Sequence, residues 1–171
     1  THKENLDPAK IFVYDIESMQ EYNAEVGQYI HRVILICFRA VYDETRKWKF
    51  TNIPDFISFI IENEEFHGST IWAHNGGGYD HQFVLRHLED EAIAHSTIAR
   101  PGTIHKYLLV EMTMRGEKTA IKFLDFLMLM SDSLRNIGEA FKLDVCKGDF
   151  PHRFSTQEHL EYNVRIPPMD A

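Results

Sequence analysis

Ile11-Phe12-Val13-Tyr14-Asp15-Ile16-Glu17-Ser18 is a run of β-forming residues that ends in two carboxylates one residue apart. Alternate side chains of a strand share a face, so Asp15 and Glu17 leave the sheet on the same side. Two carboxylates that close repel unless a proton or a cation lies between them. A hard divalent ion with oxygen ligands, Mg²⁺ or Mn²⁺, answers that repulsion directly. Asp-x-Glu alone is a weak signal, because a strand running into an acidic turn gives the same pattern. Its weight depends on where the next acidic residue of this kind falls.

Composition bounds what such a pair could serve. The 171 residues suit one domain with a sizeable core, and 44% apolar content argues against disorder. A net charge of −8 argues against a general duplex-binding surface. It leaves room for a carboxylate site, which needs cations before a phosphate can approach. The apolar run Val33 to Phe38 is strand-sized and closed by Arg39, so no membrane partner is expected. Thr1 to Lys10 is polar with no signal-peptide core, and an intracellular location is expected. The chain also lacks an initiator Met, which reads as a trimmed or excised piece. Cys37 and Cys146 make no disulfide framework. Cys37 lies in an apolar run and is expected in the core, which fits a reducing compartment.

Taken in order, the first strand is followed by a polar connection over Gln20 to Gly27. Tyr29 to Ala40 is β-branched and almost continuously apolar, as a strand buried on both faces would be. Val41 and Tyr42, then Lys47 to Phe50, read as short sheet segments around a turn at Asp43-Glu44. Pro54 opens a helix with Phe56, Phe59 and Ile60 at helical spacing, and His67-Gly68-Ser69 breaks it. Thr70 to His74 reads as a short strand and Asn75-Gly76-Gly77-Gly78 as a turn. A second helix starts at Tyr79 or Asp80, with Phe83, Val84, His87 and Leu88 on one side. From Ser96 to Phe123 the pattern is β, with hairpin turns at Pro101-Gly102 and Arg115-Gly116-Glu117. Leu134, Ile137 and Phe141 mark a third helix, left at Lys147-Gly148-Asp149. Pro151 to Ala171 is polar and expected to be extended. This order suggests an α/β sheet covered by helices, with the β-hairpin region on one side.

The second chemical piece is Ala73-His74-Asn75-Gly76-Gly77-Gly78-Tyr79-Asp80. Three consecutive glycines make a poor element interior and allow close approach to a ligand. As structure alone this is a flexible turn with a capping Asp. As chemistry it presents a third carboxylate at a strand end, beside an Asn amide and a ring on which a nucleic-acid base could stack. The cost of ordering a triple glycine favours the chemical reading. The third piece, Asp125 to Leu134 (DFLMLMSDSL), reads as a buried linker over Phe126 to Met130. Ser133 and Leu134 could equally be a helix cap and its first core residue. The histidines, His74, His81 and His87 among them, lack zinc-ligand spacing and read as surface or core residues.

In combination these pieces resemble the 3′–5′ exonuclease (proofreading) domain of protein-primed family B DNA polymerases, the type found in viruses and linear plasmids. The similarity runs from Lys10 to about Tyr162 and includes Lys147-Gly148-Asp149-Phe150-Pro151-His152. It implies an RNase H-like (DnaQ-like) α/β fold, a mixed sheet flanked by helices. It also implies a domain over residues 10–150, between a tail (1–9) and an extended segment (151–171). Asp15, Glu17 and Asp80 match the metal carboxylates of a two-metal Mg²⁺ or Mn²⁺ site. Asn75 and Tyr79 match positions that touch the 3′-terminal nucleotides, and Ser133 and Leu134 the pair that contacts the single-stranded end. Lys147 matches a lysine near the scissile phosphate, and Ser18 a small hydroxyl residue after the acidic pair. His152 stands where a tyrosine is common.

The implied partners are a single-stranded DNA 3′ end, the remainder of a polymerase and a terminal priming protein. The family's fourth carboxylate, in Tyr-x-x-x-Asp, has no match: Tyr162 is followed by Asn163, Val164, Arg165 and Ile166, and Asp170 has no matching tyrosine. Asp144 and Asp149 lie too close to the third helix. The chain is expected to stop before that motif and to be a weak nuclease at most. The competing expectations are a non-catalytic piece that binds single-stranded nucleic acid or protein, and an RNase H-like ribonuclease.

Overall fold

The computed structural model describes residues 7–99, 107–113 and 120–144. The two proposed hairpin turns, the Lys147-Gly148-Asp149 segment, Cys146, His152 and the tail lie outside them. Seven strands form one mixed sheet: β1 (Ile11–Asn23), β2 (Gln28–Ala40), β3 (Lys47–Phe50), β4 (Thr70–Ala73), β5 (His95–Ala99), β6 (Tyr107–Thr113) and β7 (Ala120–Asp125). Their spatial order is β3-β2-β1-β4-β7-β6-β5. β1 runs parallel to β4, and β4 parallel to β7; the other pairs are antiparallel.

β1 is organised by alternation. Phe12, Tyr14 and Ile16 are buried on one face, while Val13 and Asp15 are exposed on the other. Ile36, Phe38 and Ala40 of β2, Ile71 and Ala73 of β4, and Ile121 and Phe123 of β7 continue the buried face. Helices α1 (Ile53–Glu62) and α2 (Asp80–Asp90) cover it. In α1, Asn52 caps the first turn by accepting from the Asp55 N–H at 2.8 Å, and Pro54 sits in that turn. Ile53, Phe56, Ile57 and Ile60 face the sheet. Phe12, Phe38, Trp48, Phe59 and Phe66 interlock at ring separations of 5.1 to 6.4 Å around one end of it.

Several expectations need correction. Gln20 to Asn23 are strand, not connection: the β1–β2 ribbon runs on to the Tyr22–Tyr29 pair before it turns. β2 is buried on one face only, and Cys37 is exposed rather than core. Its apolar residues before Ile36, such as Tyr29 and Ile30, belong to a ribbon that leaves the helix-covered part of the sheet. Val41 and Tyr42 form a bend, since Ala40 bonds back to Arg46 and ends the pairing. α2 is rotated so that Leu85, with Val84 and Leu88, fills the core, while Phe83 and His87 are half-buried. Met128 and Leu129 are exposed, so the segment after β7 is not a buried linker.

A candidate carboxylate site at the end of β1

The register of β1 turns Asp15 and Glu17 away from the core, and a bulge between Glu17 and Ser18 re-aims the residues that follow. Asp80, the first residue of α2, is buried. Its Oδ1 accepts the Ile16 N–H at 2.9 Å, which seats it against β1 between the two outward carboxylates. Burial pushes the Asp80 carboxyl up to about 7, and the charges of Asp15 and Glu17 push the same way against backbone hydrogen bonds from Ile16 and its own N–H. Three acidic residues from two distant segments therefore sense one another.

The glycine turn brings Asp80 there, and its glycines have a reason other than a ligand. A Cβ on Gly77 would lie 2.1 Å from the Tyr107 carbonyl oxygen, and one on Gly76 2.5 Å from His81 Cε1. The close approach is to the protein's own backbone and core, which corrects the ligand-based reading of the triple glycine. Asn75, at φ 60°, turns the chain into this short 3₁₀ segment. Asp125, to which the sequence pattern gave no role, holds the turn: its buried carboxylate accepts Gly77 N–H at 3.1 Å and Leu127 N–H at 3.0 Å.

Tyr79 packs edge-on against Phe83 (5.2 Å) and His31 (6.1 Å), and its hydroxyl bonds to Ser18 Oγ. His31 Nδ1 lies 2.9 Å from the same Ser18 oxygen. His31 carried no signal in the sequence, because its nearness depends on the bulged register across β1 and β2. Ser133 caps helix α3 (Leu134–Ala140), accepting from Asn136 N–H at 3.1 Å. Leu134 is 40% exposed, so it is not the core residue that its spacing allowed.

Asp15, Glu17, Asn75, Tyr79, Asp80, Ser133 and Leu134 line one cleft of about 1170 Å³. Ser18 adjoins it through Tyr79, while Lys147 and His152 lie outside the described residues. The cleft also holds Asp132, absent from the expected site, whose Oδ1 accepts from Ser133 N–H and Asn136 Nδ2, each at 2.7 Å. Among the described residues no three His, Cys, Asp or Glu side chains are drawn together tightly enough to hold a metal ion. The donor chemistry nevertheless fits a hard cation: three carboxylates line one cleft, one of them raised mainly by burial and further by the other two.

The RNase H-like sheet with flanking helices also occurs as a part of Phi29 DNA polymerase, whose orthorhombic crystal form superposes with a TM-score of 0.69 at 15% identity. That match covers 91% of this chain and 27% of the other. A second structure, the same polymerase complexed with single-stranded DNA, gives 0.67 at 16% identity over 84% of this chain and 25% of the other. Residues 61–169 match the family described as DNA polymerase type B, organellar and viral, and the chain belongs to that family. Probable DNA polymerases of Agaricus bitorquis (29% identical over 109 residues) and Ascobolus immersus (30% over 99) are similar to it. The matched regions cover 63% and 57% of this chain but 13% and 8% of those proteins.

Proposed function

We propose that this chain is the 3′–5′ exonuclease domain of a type B DNA polymerase, removing nucleotides from single-stranded DNA 3′ ends with divalent ions held by Asp15, Glu17 and Asp80. The observation that carries the reading is the shared cleft, where these carboxylates meet Asn75, Tyr79, Ser133 and Leu134 from three separate segments. Bound Mg²⁺ or Mn²⁺ would supply an activated water and stabilise the departing 3′ oxygen. The chain's own residues do the rest. Tyr79 offers a ring face for the terminal base, held in place by Phe83 and Ser18. Asn75 presents an amide beside it, and Leu134 an apolar edge against which a second base can lie. Burial pushes the Asp80 carboxyl up to about 7, and a bound cation would favour its charged form. In this reading the remainder of the polymerase and a terminal priming protein are the partners, inside the host cell of a virus or plasmid.

The test is digestion of a 5′-labelled single-stranded oligonucleotide in Mn²⁺ and in Mg²⁺, with an RNA of the same sequence in parallel. Stepwise shortening of the DNA, better in Mn²⁺ and lost in Asp15→Asn, is expected. No shortening of the DNA in either ion refutes the reading, and preferential loss of RNA supports a ribonuclease instead.

A further inference from the structure

Directly behind the carboxylates lies a polar pair that the chemistry above does not use. Tyr14 precedes Asp15, and His81 follows Asp80. The Tyr14 hydroxyl and His81 Nδ1 are 2.6 Å apart, in the core, with their rings stacked at 5.9 Å and 10°. Tyr14 is 3% exposed and His81 not at all. Phe56 also stacks on Tyr14 at 5.8 Å, and Phe123 meets both rings edge-on. Gly76 leaves the imidazole its place, as a Cβ there would overlap it.

His81 Nε2 is buried with no hydrogen-bond partner among the described residues, so the bond to the Tyr14 hydroxyl at Nδ1 is the contact that holds the ring. Two apolar side chains of the same volume would fill this space without burying polar atoms. What the polar pair adds is a single distance between β1 and the start of α2. The other tie, from Ile16 N–H to Asp80 Oδ1, lies at the main chain of the same strand. Asp80 is thus referenced to β1 at two points, one on each side of Asp15.

Building on the proposed divalent-ion site, we infer that Tyr14 and His81 are positioning residues: their hydrogen bond sets the gap between Asp15 and Asp80, and thereby the cluster's affinity for a divalent cation. Neither touches the ion. The bond acts as outer partners of ion ligands do, by removing slack from groups whose charges would otherwise spread.

The experiment is Mn²⁺ titration of the protein followed by electron paramagnetic resonance, with single-stranded DNA affinity measured separately in EDTA. Tyr14→Phe keeps the ring stack and removes only the hydroxyl. Folded Tyr14→Phe should bind Mn²⁺ about tenfold more weakly, with DNA affinity in EDTA unchanged; a general loosening of the fold would lower both. Wild-type Mn²⁺ affinity in folded Tyr14→Phe overturns the inference. If that variant does not fold, His81→Asn, whose Oδ1 can accept from Tyr14, is compared with His81→Leu. Tighter binding by the Asn protein supports the inference, and equal affinities overturn it. Asp15→Asn separates the two levels. Wild-type binding that Asp15→Asn does not weaken removes the ion site and this inference together. Binding lost in Asp15→Asn yet intact in Tyr14→Phe removes the inference alone.

Discussion

Tyr14 and Asp15 are neighbours in the chain, yet one is sealed among aromatic rings under the helices and the other opens into the cleft. The same contrast holds along β1, with Phe12 and Ile16 inward and Val13 and Glu17 outward. On the inner face, identity is set by volume, because every side chain there has neighbours on all sides. On the outer face it is set by charge, and like charges are tolerated there because water or an ion can reach them. A strand that met only one of these demands would be either a core strand or an acidic edge. Meeting both lets one strand fill the core with one face and line an acidic cleft with the other.

The contrast can be broken at its strongest point by truncating inner-face rings. Phe38→Ala should cost about 3–5 kcal/mol in chemical denaturation, since Phe38 is 1% exposed and packs against four other rings. Asp15→Asn, on the outer face, should stay within about 0.5 kcal/mol of wild type without divalent ions. A comparable loss in both would mean that the outer face is also structural. Next in size is Gly77→Ala, expected to cost about 3 kcal/mol, because the added methyl meets the backbone of β6 rather than a side chain that can move. A neutral Gly77→Ala would return the triple glycine to the ligand-based reading.

Tyr79→Ala should weaken single-stranded DNA binding by about 1–3 kcal/mol if the ring stacks on a base. Fluorescence anisotropy with a labelled oligonucleotide measures it, and unchanged affinity in a folded protein would remove Tyr79 from the interface.

The smallest expected effect is a cancellation. Burial raises Asp80 to about 7, so its contribution to stability is present below the ordinary carboxyl range, near 3.8, and fades as pH rises through 7. Burial lowers His81 to about 4, so its contribution is present above 6.5 and fades as pH falls through 4. Between pH 4 and 6.5 the two slopes oppose, and melting in EDTA should be nearly flat. Asp80→Asn removes one of them, and stability should then rise with pH over that window. A flat profile in Asp80→Asn would show that His81 is not the opposing group.

Much of this was legible in the residues. Local alternation and turn chemistry marked β1, β4, α1 and the start of α2, and the acidic residues fell at strand and helix ends. The β1–β2 ribbon was not legible. A polar strand that projects from the sheet has no buried face, so Gln20 to Asn23 carry no alternation to read. For the same reason Cys37 looked like core: an apolar run does not say which of its faces is covered.

The sequence by itself determined the carboxylates, the helix-starting Asp80, the capping Ser133 and the resemblance that joined them, because these depend on residue type and short spacing. Only the tertiary structure decided that Asp15, Glu17 and Asp80 share one cleft, that Asp125 holds the glycine turn, and that Tyr14 meets His81 across 67 positions of chain. Those contacts arise from strand order and register. Parallel pairing of β1 with β4 sets the start of α2 beside the end of β1, and no local pattern encodes which strand becomes the neighbour.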